Sequence, residues 1–223
     1  MYCKINGSRI NFYEEIKGKG IKLISKDDCI DIMKQKIKKY VKSKGCSINL
    51  LTKQQLKILL KKNKNGEPYL LNKICEQDQE GVVVATLEGD IDDIINHNKP
   101  NIFIYALIKK GNIISISSIY KEYKELNIKG AFFSASCSVK QEPKIIFQPN
   151  YFLRAFSILE LLENNKFDII WGVMGGDLKF LAEYHKGRGC DVDIEGRPPI
   201  YKCEIVNFLN KFFEWLEELI NSE

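Results

Sequence analysis

The sequence lacks any apolar stretch long enough to cross a membrane. Its longest apolar runs, IFIYALI at 102–108 and FDIIW at 167–171, are far shorter than the ~20 residues that a bilayer span needs. The first residues, MYCKINGSRINFYEE, contain no apolar core and carry charge early, so they do not resemble a signal peptide. No repeat, and no linker rich in proline, serine or glycine, divides the chain. We therefore expect a single cytoplasmic domain of residues 1–223 that does not bind membranes.

Histidine is scarce, and the cysteines form no metal-binding pattern. Only His97 and His185 are present, and none of the seven cysteines belongs to a CxxC pair. The spacing typical of structural zinc is therefore absent, and we predict no metal site. Because the number of cysteines is odd and their spacing is wide, we expect reduced thiols and no disulfide framework.

Arginine is also scarce, and the charge is unevenly distributed. Residues 1–65 hold 17 Lys and Arg against 5 Asp and Glu, whereas the whole chain has a net charge of +5. This asymmetry is compatible with weak polyanion binding by residues 26–64. The simpler interpretation is a solvated lysine face of the kind that an AT-rich genome produces. Lysines supply most of the positive charge, and arginine binds phosphate more specifically than lysine does. Under both interpretations the following side chains should lie outside: Lys38, Lys39, Lys42, Lys57 and Lys61.

Helical periodicity dominates the first part of the chain. A strand is predicted at about 9–16, followed by an amphipathic helix at 26–44 with a serine before it and a glycine after it. Two shorter helices are predicted at about 52–62 and 69–76. Residues 1–78 are thus expected to form a basic and mainly helical part.

From residue 81 onward, the pattern changes to strands and then alternates. The predicted strands are 81–89, a hairpin over 101–123, 128–139 and 166–174, with a further short strand near 190. The predicted helices are 150–165, 177–187 and 203–220, and RPPIYK at 197–202 is predicted as a loop.

This order predicts a mixed α/β (α+β) fold with a central, mostly antiparallel sheet that is flanked by helices. The strand–helix–strand unit near 130–174 indicates a crossover between parallel strands. The aromatic C-terminal helix, 203–221, has apolar positions around much of its circumference. We therefore expect this helix either to be deeply buried or to form the interface of a homodimer.

The order of elements over residues 79–195 resembles the GNAT family of N-acetyltransferases. The best local match is FDIIWGVMGGDLKFLAEYHKGRG at 167–189, where Asp177 occupies an Asn position of the family and Tyr184 follows seven residues later. The resemblance implies an acetyl-coenzyme-A-dependent transfer to a small-molecule or protein amine by direct attack. It makes Tyr184 the general acid, since a hydroxyl of pKa near 10 can protonate a thiolate of pKa about 8.5. Glu88 would remove the proton of the amine.

The resemblance also implies a set of cofactor-binding positions. Strand 130–139 would supply backbone hydrogen bonds to the pantetheine arm, beside an open β-bulge expected at 137–140. The full set is Cys137, Ser138, Val139, Asn150, Tyr151, Arg154 and Asp177.

The chain departs from the family at the phosphate loop. The family pattern, R/Q-x-x-G-x-G/A, uses glycines so that backbone N–H groups can approach a pyrophosphate. Here the corresponding KQEPKIIFQPNYFLRA contains no glycine, and Pro149 removes one N–H donor. The remaining groups that could offset phosphate charge are Lys140, Lys144 and Arg154.

Two alternatives to the enzyme remain open. Because the loop glycines are missing, the chain could be a catalytically inactive acetyltransferase-fold protein that serves in interactions or as a virion-associated structural protein. Because Cys137 lies among small residues in SASCS, it could also be the nucleophile of a cysteine hydrolase, with His185 and Asp191 or Asp193.

An acidic cluster, LEGDIDDII, allows three interpretations. Its carboxylates are Glu88, Asp90, Asp92 and Asp93. They could bind a divalent metal, or one could act as a general base. The simplest interpretation is an acidic helix start that complements the helix dipole.

Overall fold

The structure is a computed structural model. It describes residues 2–6, 9–16, 20–76, 81–121, 130–139, 148–164, 169–173, 178–197 and 199–222. None of the helices within these ranges is long and apolar enough to cross a membrane.

The N-terminal part contains more strands than its sequence pattern predicts. Strands β1 (Tyr2–Asn6), β2 (Arg9–Ile16) and β3 (Gly20–Ile24) form a three-stranded antiparallel sheet. The predicted strand at 9–16 is confirmed. β1 and β3 were not predicted. β1 packs against the C-terminal helix, and β2 packs against the helix that begins at Lys26. Strand pairing and this packing, rather than local periodicity, define these strands.

The predicted helix at 26–44 is confirmed as α1 (Lys26–Ser43), which is followed by strand β4 (Cys46–Leu50). Ser25 caps α1 by accepting a hydrogen bond from the Asp28 backbone N–H at 3.0 Å. Gly45, with φ of 71°, ends it. β4 is an edge strand of five residues with mostly exposed side chains, which explains why its sequence carries a weak strand signal.

Three helices follow: α2 (Lys53–Leu59), α3 (Tyr69–Ile74) and α4 (Val82–Ile95). The predicted strand at 81–89 is wrong, since these residues begin α4. Val84, Leu87 and Ile91 recur at helical spacing and bury one face, and this packing outweighs the β-propensity of the valines. The acidic cluster therefore lies inside α4 and not at its start. Among the described residues, no group of three or more possible ligands could hold a metal ion.

The remaining elements run from residue 102 to 221. They are β5 (Ile102–Lys109), β6 (Asn112–Tyr120), β7 (Ala131–Ser138), α5 (Pro149–Asn164), β8 (Ile169–Val173), α6 (Leu178–Lys186), β9 (Cys190–Asp193), β10 (Ile200–Glu204) and α7 (Ile205–Asn221). The predicted hairpin is confirmed, with positive φ at both turn residues, Lys110 and Gly111. The loop prediction for 197–202 is wrong for residues 200–202, because these residues belong to β10. This strand pairs with β8 and β9.

The main sheet has seven strands in the order β4-β5-β6-β7-β8-β10-β9. Every neighbouring pair is antiparallel except β7 and β8, which are parallel and joined through α5. The predicted mixed sheet with one crossover is thus confirmed. One core contains residues of α1, α5 and α7, and a second contains residues of α2, α3 and α4. Because alternate residues of β5 enter different cores, these helix groups cover opposite faces of the sheet.

The C-terminal helix is a core element. Phe208, Phe212 and Phe213 of α7 are at most 4% exposed, and Phe212 packs edge-on against Phe152 of α5, with ring centroids 5.5 Å apart. Of the two interpretations of this helix, burial is the one observed.

Two disulfides contradict the expectation of reduced thiols. Cys75, just after α3, is bonded to Cys137 of β7, and Cys190 of β9 is bonded to Cys203 of β10. Their Cα atoms lie 5.2 and 4.3 Å apart. Folding brings these residues together across the second core and across an antiparallel pair, and sequence spacing does not reveal either contact. Cys29 and Cys46 are buried and take part in neither disulfide.

Candidate functional site

The main sheet opens between its two parallel strands. β7 and β8 pair at three positions, and the last pair is Phe133 with Gly172. β7 continues to Ser138 along β6, and among the described residues no strand pairs with its other edge beyond Phe133. We call this opening the fork.

The β7 edge of the fork presents backbone groups to the opening. The Val139 N–H donates to the Ile114 carbonyl oxygen at 3.0 Å, so Val139 faces β6. Alternate residues of a strand direct their N–H and C=O groups to opposite edges. Ser136 and Ser138 therefore present theirs toward the fork.

A β-bulge interrupts β7 where the fork begins. Ser117 lies opposite Ser136 and Ile119 opposite Phe133, so Ser134 and Ala135 both face Ser118. Ser118 Oγ accepts a hydrogen bond from the Ala135 N–H at 3.1 Å. The bulge expected at 137–140 thus lies nearer the start of the strand, within the described residues.

A buried carboxylate supports the bulge from the α4 face of the sheet. Asp90 of α4 is 4% exposed. It accepts hydrogen bonds from Ser118 Oγ and Tyr120 OH, each at 2.5 Å, and from the side chain of Ser134. Burial raises the pKa of the Asp90 carboxyl, Asp93 adds to this effect, and the three hydroxyls oppose it. The sequence offered a signal for this residue: once 82–95 is recognised as a helix, Asp90 falls on its apolar face, three residues after Leu87.

The opposite face of the fork holds a stacked histidine. His185 of α6 is 4% exposed and stacks on the ring of Tyr201, with centroids 3.8 Å apart. The Tyr201 ring in turn covers Gly172, where a Cβ atom would collide with it. Burial, together with the charges of Arg154 and Arg188, lowers the pKa of His185 to about 2. His185 is therefore neutral at physiological pH.

Arg154 of α5 reaches across to β7. Its Nη2 donates to Ser136 Oγ at 2.9 Å, and its guanidinium lies 5.2 Å from the Phe133 ring centroid and 5.9 Å from that of Tyr201. Its Nε is buried and has no hydrogen-bond partner among the described residues.

Arg188, just after α6, lies between two tyrosines. Its guanidinium is 3.3 Å from the Tyr184 ring centroid and 4.4 Å from that of Tyr151. It donates to the Tyr184 carbonyl oxygen at 2.7 Å and to Gln148 Oε1. Its Nε is buried and finds no partner in the described part of the chain. Burial lowers the pKa of Arg188.

These two arginines form a site with excess positive charge. Neither guanidinium pairs with a carboxylate within the part of the chain that the structure describes. The hydroxyls of Tyr151 and Tyr201, beside them, are also buried, and no described residue forms a hydrogen bond with either. An anion with several acceptor oxygens would satisfy these donors. We call Arg154, Arg188, Tyr151 and Tyr201 the arginine cluster.

The structure brings several predicted site residues together. Tyr151 and Arg154 belong to the arginine cluster, and Tyr184 contacts Arg188. Ser115 Oγ lies 2.5 Å from Asn150 Oδ1 and 3.0 Å from the Cys137 carbonyl oxygen, so it can donate its single proton to either acceptor. Asn150 is thereby connected to the end of β7 that contains Cys137, Ser138 and Val139. Asp177, Lys140 and Lys144 lie outside the described residues. Sequence reasoning missed Arg188 and Tyr201 as parts of this cluster, because α5, the turn after α6 and β10 contribute its members.

Glu88 lies apart from Tyr184. It is a residue of α4, on the other face of the sheet, and forms an ion pair with Lys62 at 3.2 Å.

The proposed cysteine hydrolase is contradicted, because the sulfur of Cys137 is bonded to Cys75. Asp191 and Asp193 are exposed on β9.

The N-terminal lysines do not form one surface. Lys38, Lys39, Lys42, Lys57 and Lys61 are all exposed, as predicted. However, α1 and α2 cover opposite faces of the sheet. Some lysines of α1 are also neutralised: Lys34 pairs with Glu160 at 2.5 Å, and Lys36 pairs with Glu217 at 3.1 Å.

Solved structures share this fold at low sequence identity. An uncharacterized protein (bh2621) from Bacillus halodurans is 11% identical, with a TM-score of 0.50 over 78% of this chain and 91% of that chain. AtaTR bound with AcCoA is 10% identical, with a TM-score of 0.49 over 79% and 98%. Aminoglycoside acetyltransferase AAC(6')-Ib in complex with coenzyme A and kanamycin is 10% identical, with a TM-score of 0.48 over 73% and 96%.

These likenesses concern the fold alone. The strand order confirms the predicted mixed α/β fold with a mostly antiparallel sheet, and the Bacillus halodurans protein is similar to it in fold. No protein-family model matches the sequence, and no curated protein matches it.

Proposed function

We propose that this protein is a divergent acyl-coenzyme-A-dependent N-acetyltransferase. The observation that carries the proposal is the fork, an opening between two parallel strands with a bulge at its start and the arginine cluster on one face. When bound, acetyl-coenzyme A would supply the thioester whose acetyl group an amine takes directly, without a covalent intermediate on the protein.

The β7 edge of the fork suits the pantetheine arm. That arm contains amides, and the backbone groups of Ser136 and Ser138 face the opening. Asn150, at the start of α5, would fix the end of this strand through Ser115.

The arginine cluster suits the phosphates of the cofactor. Two guanidinium groups with buried, unpartnered Nε atoms need an anion, and arginine forms bidentate hydrogen bonds with phosphate oxygens. Arg154 and Arg188 would thus compensate for the glycines that the loop before α5 lacks. The backbone amides at the start of α5 would add to this positive potential.

Tyr184 is proposed as the general acid. Its ring lies against the Arg188 guanidinium, and its hydroxyl would protonate the sulfur that leaves. The amine would approach from the α4 face, where Glu88 was predicted as the base. Glu88 forms an ion pair with Lys62, a lysine at the surface.

Titration calorimetry with acetyl-coenzyme A tests the proposal. We expect the wild type to bind it, and Arg154→Gln and Arg188→Gln to bind it at least about tenfold more weakly, because each loses a charge-assisted hydrogen bond of about 1.5–3 kcal/mol. Arg197→Gln is the matched control, since Arg197 is exposed, and it should bind like the wild type. No binding by the wild type at millimolar cofactor would reject the enzyme and leave the fold alone.

The second candidate is an inactive protein on the same fold that acts in interactions. The absence of glycine before α5, together with Pro149 at its first position, favours this candidate. The same titration separates the two: the inactive protein would bind neither acetyl-coenzyme A nor coenzyme A.

A further inference from the structure

The buried carboxylate of Asp90 has no role in the function proposed above. It faces three hydroxyls, those of Ser118, Tyr120 and Ser134. No cation contributes to its electrostatic environment among the described residues; the only charged neighbour that does is Asp93 of the same helix. A buried carboxylate without a cation is costly. A simple structural contact between α4 and the sheet could be made without this charge.

Asp90 is connected to the fork through Ser134. The bulge turns two consecutive side chains of β7 toward the α4 face, since Ala135 packs in the core with α4 and Ser134 bonds to Asp90. Ser134 is half-buried and directly follows the last residue of β7 that pairs with β8. Its hydroxyl therefore lies between a buried carboxylate and the opening.

Accepting the proposed acyl transfer, we propose that Ser134 contacts the amine and that Asp90, acting through Ser134, takes up the proton of the amine. As the N–C bond forms, Ser134 Oγ would accept a proton from the nitrogen and pass its own proton to Asp90. The electron pair of the broken C–S bond stays on sulfur, which Tyr184 protonates. Positive and negative groups then lie on opposite faces of the sheet: the arginine cluster faces the phosphates, and Asp90 faces the amine.

In this geometry Asp90 positions the Ser134 hydroxyl and is the final acceptor of the proton. Burial makes the carboxylate more basic, because it raises the pKa of Asp90. Tyr120 of β6 is the titratable group that faces it from the sheet, and Asp93 is the one that faces it from α4. The charge of Asp93 favours proton uptake by Asp90, whereas the hydrogen bond from Tyr120 lowers the pKa of Asp90 and favours the carboxylate.

The test uses the full chain with acetyl-coenzyme A and four amine probes: ethanolamine, spermidine, a peptide with a free N-terminus and a lysine peptide. Thiol release gives the rate between pH 5.5 and 9, and calorimetry gives cofactor affinity. The variants are Asp90→Asn, Ser134→Ala and Glu88→Gln. Asp92→Asn is the control, because Asp92 lies on the same helix with a side chain that is 47% exposed.

We expect Asp90→Asn and Ser134→Ala to bind acetyl-coenzyme A like the wild type but to lose about 10²-fold or more in kcat. Asp92→Asn should retain the wild-type kcat. The fall of kcat at acidic pH, which reports groups in the enzyme–substrate complex, should disappear in Asp90→Asn. A contact that was merely structural would not remove it. If Asp90→Asn fails to fold, as shown by thermal denaturation, Ser134→Ala still tests the relay.

Several results would overturn the inference. Wild-type kcat and pH dependence in Ser134→Ala would do so, as would a loss of rate in Glu88→Gln that Asp90→Asn does not share. Cofactor binding by the wild type without transfer to any probe would also reject the relay, while the cofactor site would stand. If the wild type does not bind acetyl-coenzyme A, the proposed function fails and the relay fails with it.

Discussion

The imidazole of His185 stacks on the phenol ring of Tyr201, with centroids 3.8 Å apart and ring planes inclined by 13°. Burial raises the pKa of Tyr201 and lowers that of His185. Both side chains are therefore uncharged at physiological pH, and the positive charge of this region resides on Arg154 and Arg188.

The first prediction concerns stability in acid. The pKa of His185 is lowered to about 2 in the folded protein, against about 6.5 in an unfolded chain. Between these values the unfolded state binds more protons, so the free energy of unfolding falls as pH decreases below about 6.5, by up to about 1.4 kcal/mol per pH unit from this group. Urea unfolding at pH 7, 6 and 5 measures the slope.

A His185→Gln variant should show a shallower slope than the wild type. The control is His97→Gln, because the side chain of His97 is 60% exposed and should leave the slope unchanged. Equal slopes in the wild type and in His185→Gln would show that His185 is not held neutral.

The second prediction concerns the arginine cluster and an inorganic probe. Pyrophosphate should raise the melting temperature, because an anion that binds only the folded state stabilises it, by about 2.7 kcal/mol at 100 times its Kd. Arg154→Gln should lose most of this shift and Arg197→Gln none. The comparison is made at constant ionic strength with chloride, since screening weakens all such contacts. An equal shift with chloride alone would contradict a specific anion site.

The third prediction concerns the contact between Gly172 and Tyr201. A Cβ atom at Gly172 would overlap the tyrosine ring, so Gly172→Ala should lower the free energy of unfolding by about 1–3 kcal/mol. Gly89→Ala is the matched control: Gly89 lies within α4, and a Cβ atom there would meet nothing within 4 Å. It should stabilise the protein by about 0.5–1 kcal/mol. Chemical denaturation measures both, and a neutral Gly172→Ala would mean that the ring moves freely.

The fourth prediction concerns the two disulfides. Loss of the Cys75–Cys137 bond, which spans 62 residues, should cost about 4 kcal/mol in the loop-entropy account. Loss of the Cys190–Cys203 bond, which spans 13 residues, should cost about 3 kcal/mol. Paired Cys→Ala variants, unfolded in urea without reductant, give the two values. If all four cysteines of the untreated wild type react with an alkylating reagent under denaturing conditions, the bonds are absent in solution.

The local signals of the sequence determined most of the helices and the central hairpin. Ser25 and the regular spacing of Ile30, Met33 and Ile37 define α1, and the turn at Lys110 and Gly111 defines the hairpin of β5 and β6. Such features depend on residues within one or two turns of each other, so they can be read without knowing the rest of the fold. The crossover from β7 to β8 followed from the same order of elements, and with it the mixed α/β architecture.

Tertiary structure alone decided the features that depend on distant neighbours. The valines at 82–84 have strand propensity, but their helix buries Leu87 and Ile91 against the sheet. β10 is a strand because β8 and β9 pair with it on both sides. The disulfides, the arginine cluster and the buried Asp90 likewise join residues from separate elements. Burial and the interactions between charges on separate elements determine the free energy of these features. Both arise only when the chain has folded and has brought those elements together.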